Sequence, residues 1–144
     1  MRNVYEEKIL LFFMLYTKCI YAPKGSQDGV RISVMSRHTL SDGVTKDPRI
    51  SPEIFDEHLV LFGPRAQDIG DYYRRGLSWE AFAQRYLAYL RETQMQLEVE
   101  KLGRRAFSTD ITLLCVEESA EKCHRRLLAE ECLWHVPSLH VKHV

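Results

Sequence analysis

The order of apolar and polar residues along the chain switches between the two-residue period of strands and the 3.6-residue period of helices. Residues 14–21, rich in Leu, Tyr, Thr, Cys and Ile, read as a first strand closed by Ala22-Pro23-Lys24-Gly25. Val30–Met35 alternates apolar and polar residues up to its last position and predicts a second strand, a candidate neighbour of the first. A polar loop follows over Ser41–Ser51, with Gly43 and Pro48 in it. Pro52–Gly63 admits two readings, a helical turn within Glu53–Leu59 and a short strand at Leu59–Phe62. A helix begins at Pro64 and ends before Arg74-Arg75-Gly76, where basic residues and a glycine suit a helix C-terminus. Ser78 is the expected N-cap of one long helix, Trp79–Lys101, whose residues Trp79, Phe82, Ala83, Tyr86, Leu87 and Leu90 share a face; Gly103 is its expected stop. Ile111–Val116 is a short, nearly continuous apolar run, as in a strand covered on both faces. Ser119 is then expected to cap a helix to about Trp134, Pro137 to break it, and Leu139–Val144 to form a last strand.

These elements predict an α/β fold: a small two-layer or three-layer domain with a mainly parallel sheet of about four strands, helices packed on it, and a C-terminal strand–helix–strand unit. Residues 14–144 read as a single domain; residues 1–13 read as an N-terminal extension, with Met14 a candidate start, or as the beginning of the first strand. The chain has 144 residues, 45% apolar and 28% charged, the balance of a folded protein rather than a disordered one. Its formal net charge is zero, so attraction to nucleic acid would need a local patch, with Arg74, Arg75, Arg85, Arg104, Arg105 and Arg126 as the material for one. Four scattered cysteines do not make a disulfide framework and point to reduced thiols in the cytoplasm. The apolar run Ile9–Leu15 is too short to span a bilayer and lacks the basic head of a signal peptide, so no membrane partner is expected.

Candidate chemistry gathers between the last apolar strand and the last helix. On a helical wheel Ala120, Cys123, His124, Leu127, Leu128, Glu131 and Trp134 share the inward side, with Arg125 on its flank. His124 then lies in the first turns of a helix following a parallel strand, near the carboxyl edge of the sheet where open α/β sheets bind ligands. A catalytic role falls to His124 as proton donor or acceptor, tuned by Glu117 or Glu131. Arg125 and Arg37, with the neighbouring His38 and Thr39, are the candidates for holding a small anionic or phosphorylated ligand. Glu117, Glu118 and Glu121 stand at the same predicted helix start and oppose an anion there. Cys115 and Cys123 complete the candidate ligand-binding set; their simplest reading is as inert packing thiols. A C-x7-C spacing lacks the CxxC pair of common metal sites and would need ligands such as His38 or His143 brought in by the fold, so no metal and no cofactor is expected.

Three segments carry a family resemblance: Ile111-Thr-Leu-Leu-Cys115-Val-Glu117 with Cys123-His124-Arg125-Arg-Leu-Leu-Ala129-Glu130, Gly76-Leu-Ser78-Trp79-x-x-Phe82-x-x-Arg85-Tyr86-Leu87, and Val141-Lys142-His143-Val144. Together they resemble the domain-of-unknown-function 488 (DUF488) family over roughly Met14 to Val144. Where related sequences often carry an Arg-Gly-type loop, within Arg37–Ser51, this chain has His38-Thr39-Leu40. The resemblance implies a fold and motif positions and brings no established activity, so function has to be argued from the site. Two functions follow from the residues: binding or turnover of a small anion at the sheet edge, and a non-catalytic nucleic-acid-binding or regulatory role, the first being favoured.

Overall fold

A computed structural model describes residues 12–144. The elements are β1 (Met14–Cys19), β2 (Val30–Ser33), β3 (Glu57–His58), α1 (Ala66–Arg74), α2 (Trp79–Leu90), α3 (Thr93–Ser108), β4 (Ile111–Cys115), α4 (His124–His135) and β5 (His140–His143). One five-stranded sheet has the order β3-β2-β4-β1-β5, and every pairing in it is parallel. Central β4 is buried along its whole length, which is why its sequence is apolar without alternation. Register puts Val30, Leu15 and Ile111 side by side, so Leu15, Ile32, Leu113 and Cys115 share one face. That face packs beneath the helices, with Leu127, Leu128 and Cys132 of α4 in the same core.

The opposite face carries polar groups under loops rather than helices. Arg31 is almost fully buried there, with Nε donating to the Ile54 carbonyl (2.8 Å) and its guanidinium paired to Asp28, which also takes Lys18. The Thr112 hydroxyl donates to the Asp28 carbonyl at 2.6 Å. Connections toward β3 cross this loop face, while those running back toward β5 cross the helical face. A single crossover hand requires that division. It leaves the carboxyl ends of β1, β2 and β4 open between the two layers of connections.

Several expectations change. β2 pairs with β4 and β3, not with β1, because β4 inserts between them. The segment 52–63 holds two 3₁₀ turns, Pro52–Ile54 and Val60–Phe62, flanking the two-residue β3, so the expected strand at Leu59–Phe62 is displaced to 57–58. The expected long helix is two. Phe82, Tyr86 and Leu90 are buried on α2, but the stripe on α3 is Met95, Val99, Leu102 and Ala106, and Leu97 is exposed. The apolar phase slips by about one residue, or about 100°, between Leu90 and Met95. A break at Arg91-Glu92 brings both stripes onto the sheet. Gly103 does not stop a helix but lies inside α3 where α4 crosses; a Cβ there would stand 3.0 Å from Val136 Cγ2 and 3.2 Å from the Cys132 carbonyl oxygen.

The last helix begins at His124, five residues after the expected cap. Ser119 Oγ does accept the Glu121 N–H, but the turn does not propagate. Arg125 donates to the carbonyls of Glu117 and Glu118, and Arg126 to those of Ala120 and Glu121. Arginine side chains occupy the carbonyls that helical N–H groups would otherwise use. Trp134, expected inward, is 75% exposed, and Arg125, expected on the flank, is fully buried. β1 begins at Met14 as read, while Ile9–Leu11 lies outside the described residues. No helix among the described residues is long and apolar enough to cross a membrane.

Candidate functional site

A cleft of about 600 Å³ opens beyond the carboxyl ends of β1, β2 and β4. Three stretches of chain line it: 35–49 with Tyr21, 64–82, and 115–124. Its floor is the junction of β4 and α4, where Cys115 ends the strand, Cys123 sits at the N-cap and His124 opens the helix. All three are buried yet border the cleft.

The ring of His124 is fixed at both nitrogens. Nε2 donates to the Val34 carbonyl at 2.7 Å, which leaves Nδ1 facing Cys115 Sγ at 3.4 Å. Tyr86 packs edge-on against the imidazole, with centroids 5.2 Å apart. Nδ1 and the two sulfurs lie within 4.8 Å of one another. Burial pushes the Cys115 thiol well above its ordinary range, reinforced by the neighbouring Cys123. Cys123 goes the other way: burial opposes ionisation, but hydrogen bonding with Cys115 and His124 and the Arg125 charge outweigh it. The two thiols are thus tuned in opposite directions, and Cys123, at the positive end of α4, is the more acidic of the pair.

Glu117 also borders the cleft and accepts a hydrogen bond from the Tyr73 hydroxyl. Burial and the adjoining carboxylate hold that phenol above its ordinary range. Glu131, the other acid expected near His124, is instead held by Arg91 at 2.7 Å. Arg37 lines the cleft mouth, with one guanidinium nitrogen donating to the Gly43 carbonyl (3.2 Å), and Thr39 lines it from a bridge to Lys46. Arg125 does not border the cleft; its guanidinium reaches the Glu117 carbonyl at 2.6 Å and the Glu118 carbonyl at 3.3 Å, so it positions the loop that carries Glu117. His38 is turned away from the cleft as well. It meets Ser33 Oγ at 2.7 Å and stacks on His58 with centroids 4.0 Å apart. Burial and His58 hold it down at about 4.

The fold adds residues that the sequence did not mark. Tyr72 stacks on Phe82 at 4.9 Å and meets Trp79 edge-on, forming an aromatic wall. Trp79 and Phe82 read as core from helical spacing, and Phe82 is indeed buried while also facing the cleft. Asp47, fully buried on the other wall, accepts from the Arg49 backbone and guanidinium and from the Tyr21 hydroxyl. Those bonds, the Arg49 side chain first, hold its carboxyl down at about 2. No period in the sequence exposes this trio. An acid–Pro–Arg run in a polar loop was its only signal.

An open parallel sheet with a cleft beyond its carboxyl ends makes the molecule an open-sheet α/β protein, an architecture whose carboxyl edge is the usual position of ligands. Within that class, the family model for the active DUF488-N3 subclade matches residues 15–133, and the chain belongs to the DUF488 family. Comparison with curated proteins and with solved structures gives no match. The matched span contains the Cys-x-Glu, Cys-His-Arg and Ser-Trp segments on which the resemblance was read; the closing Val141–Val144 lies beyond it.

Proposed function

We propose that the protein binds a small anionic molecule, a phosphate or carboxylate ester or acid, in the cleft and acts on it through the Cys115–Cys123–His124 cluster. The observation carrying this reading is the charge pairing of the cleft. Its acids are engaged: Asp47 by Arg49 and Tyr21, Glu117 by Tyr73, and Asp42 by the Val44 and Thr45 backbone and the Thr45 hydroxyl. Arg37, Arg74 and Lys122 line the same cleft and make no ion pair among the described residues. Cations without carboxylate partners around an aromatic-walled concavity suit an anion with an apolar body.

The late start of α4 supports the same reading. Glu118 and Glu121 are exposed on the preceding loop and do not border the cleft, so only Glu117 of the three opposing acids remains near the ligand. Arg37 and Lys122 are the anion-holding residues, Trp79 and Tyr72 cover the ligand body, and Glu117 with Tyr73 supplies a proton-carrying pair. The subclade's description as active accords with chemistry at this site.

A nucleic-acid role gains no support from the surface arginines. Of the six candidate arginines, Arg75, Arg85, Arg104, Arg105 and Arg126 are each paired to a carboxylate, and Arg74, without an ion pair among the described residues, does not make a patch alone.

The test is thermal and calorimetric titration with inorganic phosphate, phosphorylated sugars, nucleotides and small carboxylates. A ligand at one hundred times its Kd should stabilise the fold by about 2.7 kcal/mol. The paired substitution Arg37→Ala with Lys122→Ala should weaken binding at least tenfold with stability unchanged, since both side chains are exposed. Binding that survives this substitution undiminished, or no binding across the panel, refutes the reading.

A further inference from the structure

We propose that Cys115, Cys123 and His124 form a zinc site with three protein ligands and a fourth position open to the cleft. The three ligand atoms are already gathered, all within 4.8 Å of one another, with Cys115 Sγ and His124 Nδ1 3.4 Å apart. Zinc bound tetrahedrally, with bonds of about 2.3 Å to sulfur and about 2.05 Å to nitrogen, needs ligand atoms about 3.6 to 3.8 Å apart. Small rotamer adjustments would therefore close the cluster around an ion.

The imidazole is prepared for this role. A metal-bound histidine usually donates its other ring N–H to a backbone carbonyl or carboxylate, which fixes the ring and its tautomer. His124 does this through Nε2 to Val34 and turns the Nδ1 lone pair toward the sulfurs. Rigid elements hold the ligands, Cys115 at the end of the central strand and the other two at the start of α4. Two thiolates and one imidazole would neutralise Zn²⁺, whose binding itself displaces the thiol protons. Cys115, Cys123 and His124 all line the cleft, which puts the fourth position on the side of the space where the anion is proposed to bind. Structural zinc sites fill all four positions with protein, whereas this arrangement leaves one for an exchangeable ligand.

Bound there, zinc would act as a Lewis acid toward an oxygen of the ligand. That use of the metal rests on the anion-binding reading of the cleft; its binding does not. Full-length protein stripped by chelator and titrated with Co²⁺ should show thiolate-to-cobalt charge transfer and tetrahedral d–d bands that saturate at one ion per chain and disappear on adding Zn²⁺. Cys115→Ser and Cys123→Ser should each lose the charge-transfer band in part and bind at least tenfold more weakly. The measurement on unsubstituted protein stands if either variant fails to fold. Azide should shift the d–d bands of the cobalt form. No saturable charge transfer up to millimolar metal overturns the site, and so does stoichiometric metal retained by a folded Cys115→Ser/Cys123→Ser chain. Bands indifferent to azide overturn the open fourth position. Saturating cobalt bands with no member of the phosphate, nucleotide and carboxylate panel bound would remove the anion reading and leave the metal site standing.

Discussion

Replacing Arg125 by Met tests how the site is held, because it removes a buried charge while nearly keeping the side-chain volume. Arg125 is fully buried, and its two terminal nitrogens donate to the carbonyls of Glu117 and Glu118 at 2.6 and 3.3 Å. The shorter bond is charge-assisted and worth about 1.5 to 3 kcal/mol; the longer adds about 0.5 kcal/mol. Glu118 is exposed and its carbonyl can turn to water, whereas Glu117 is half-buried and keeps part of its desolvation penalty. Opposing this, Met relieves the buried charge and Arg125 Nε, which has no partner among the described residues. The balance is a loss of about 2 kcal/mol. With a urea slope of about 2 kcal/mol/M for a chain of this size, the unfolding midpoint should fall by about 1 M. Hydrogen exchange should quicken most at the amides of 117–123, since these are the residues the guanidinium ties down. Arg125→Lys, which can reach one carbonyl, should recover about half. A midpoint that stays put or rises in Arg125→Met would mean that burying the guanidinium costs as much as its bonds return. The loop would then be held by something other than Arg125.

Gly63→Ala should destabilise by about 1 to 3 kcal/mol in the same urea assay, because its Cβ would fall 2.5 Å from the Ser36 backbone nitrogen, under the cleft wall; a neutral result would show that the 36–39 segment moves freely. Tyr73→Phe removes the hydroxyl that Glu117 accepts, and with the Tyr73 ring 44% exposed it should change stability by under about 1 kcal/mol while altering ligand affinity or turnover. Equal effects on both would place Tyr73 among purely structural residues. His38 is held at about 4 by burial and by His58, so between about pH 6.5 and 4 the unfolded chain takes up a proton that the folded chain refuses. Stability should be full above about pH 6.5 and fall toward pH 4, by roughly 1 to 2 kcal/mol after solvent screening of a half-buried ring. His38→Gln should flatten this slope between pH 7 and 5, and an unchanged slope would assign it elsewhere. Asp47, held at about 2, contributes stability that is lost only below about pH 4, outside that window.

Much of the fold was legible because β4 is largely apolar on both faces, whereas β2 sets apolar side chains on one face and the buried polar Arg31 and Ser33 on the other. The apolar run Ile111–Val116 marked the central strand, alternation marked β2, and Ser78 capped α2 as its position implied, accepting the Ala81 N–H at 3.1 Å. What escaped depended on partners distant in sequence. Helical spacing carries on smoothly from Leu90 if Leu97 is counted as apolar, and only the position of the sheet shows that Met95 and Val99 are the buried pair. Gly103 likewise reads as a stop until α4 is seen to lie against it. Two-residue β3 is too short to leave any period, and it exists because Ile32 and Ser33 offer it an edge.

The neighbourhood of Cys115, Cys123 and His124 could be read from the sequence, whereas the surroundings of Arg125 and Glu118 could not, and the start of α4 accounts for both. A cap at Ser119 would put Cys123 and His124 on the second turn of a helix, with three glutamates at its positive end. Starting the helix at His124 moves the backbone N–H groups and the dipole next to Cys123, and takes Glu118 and Glu121 away from the cleft. Arg125 and Arg126 accompany this change, their guanidinium groups donating to the carbonyls of Glu117, Glu118, Ala120 and Glu121 that a longer helix would use for its own N–H groups. Arg125 was read as a ligand's partner because arginine beside a helix start commonly is one. Its carbonyl contacts give it a different task, with consequences for the cysteines. By extending the 117–122 loop over the end of β4, it lets residues eight apart in sequence bring their sulfurs to one imidazole nitrogen. A C-x7-C-H spacing has no chelating geometry as a helix or as a strand. It acquires one only when the first cysteine ends a strand, the second precedes a helix, and the intervening loop is pinned from behind.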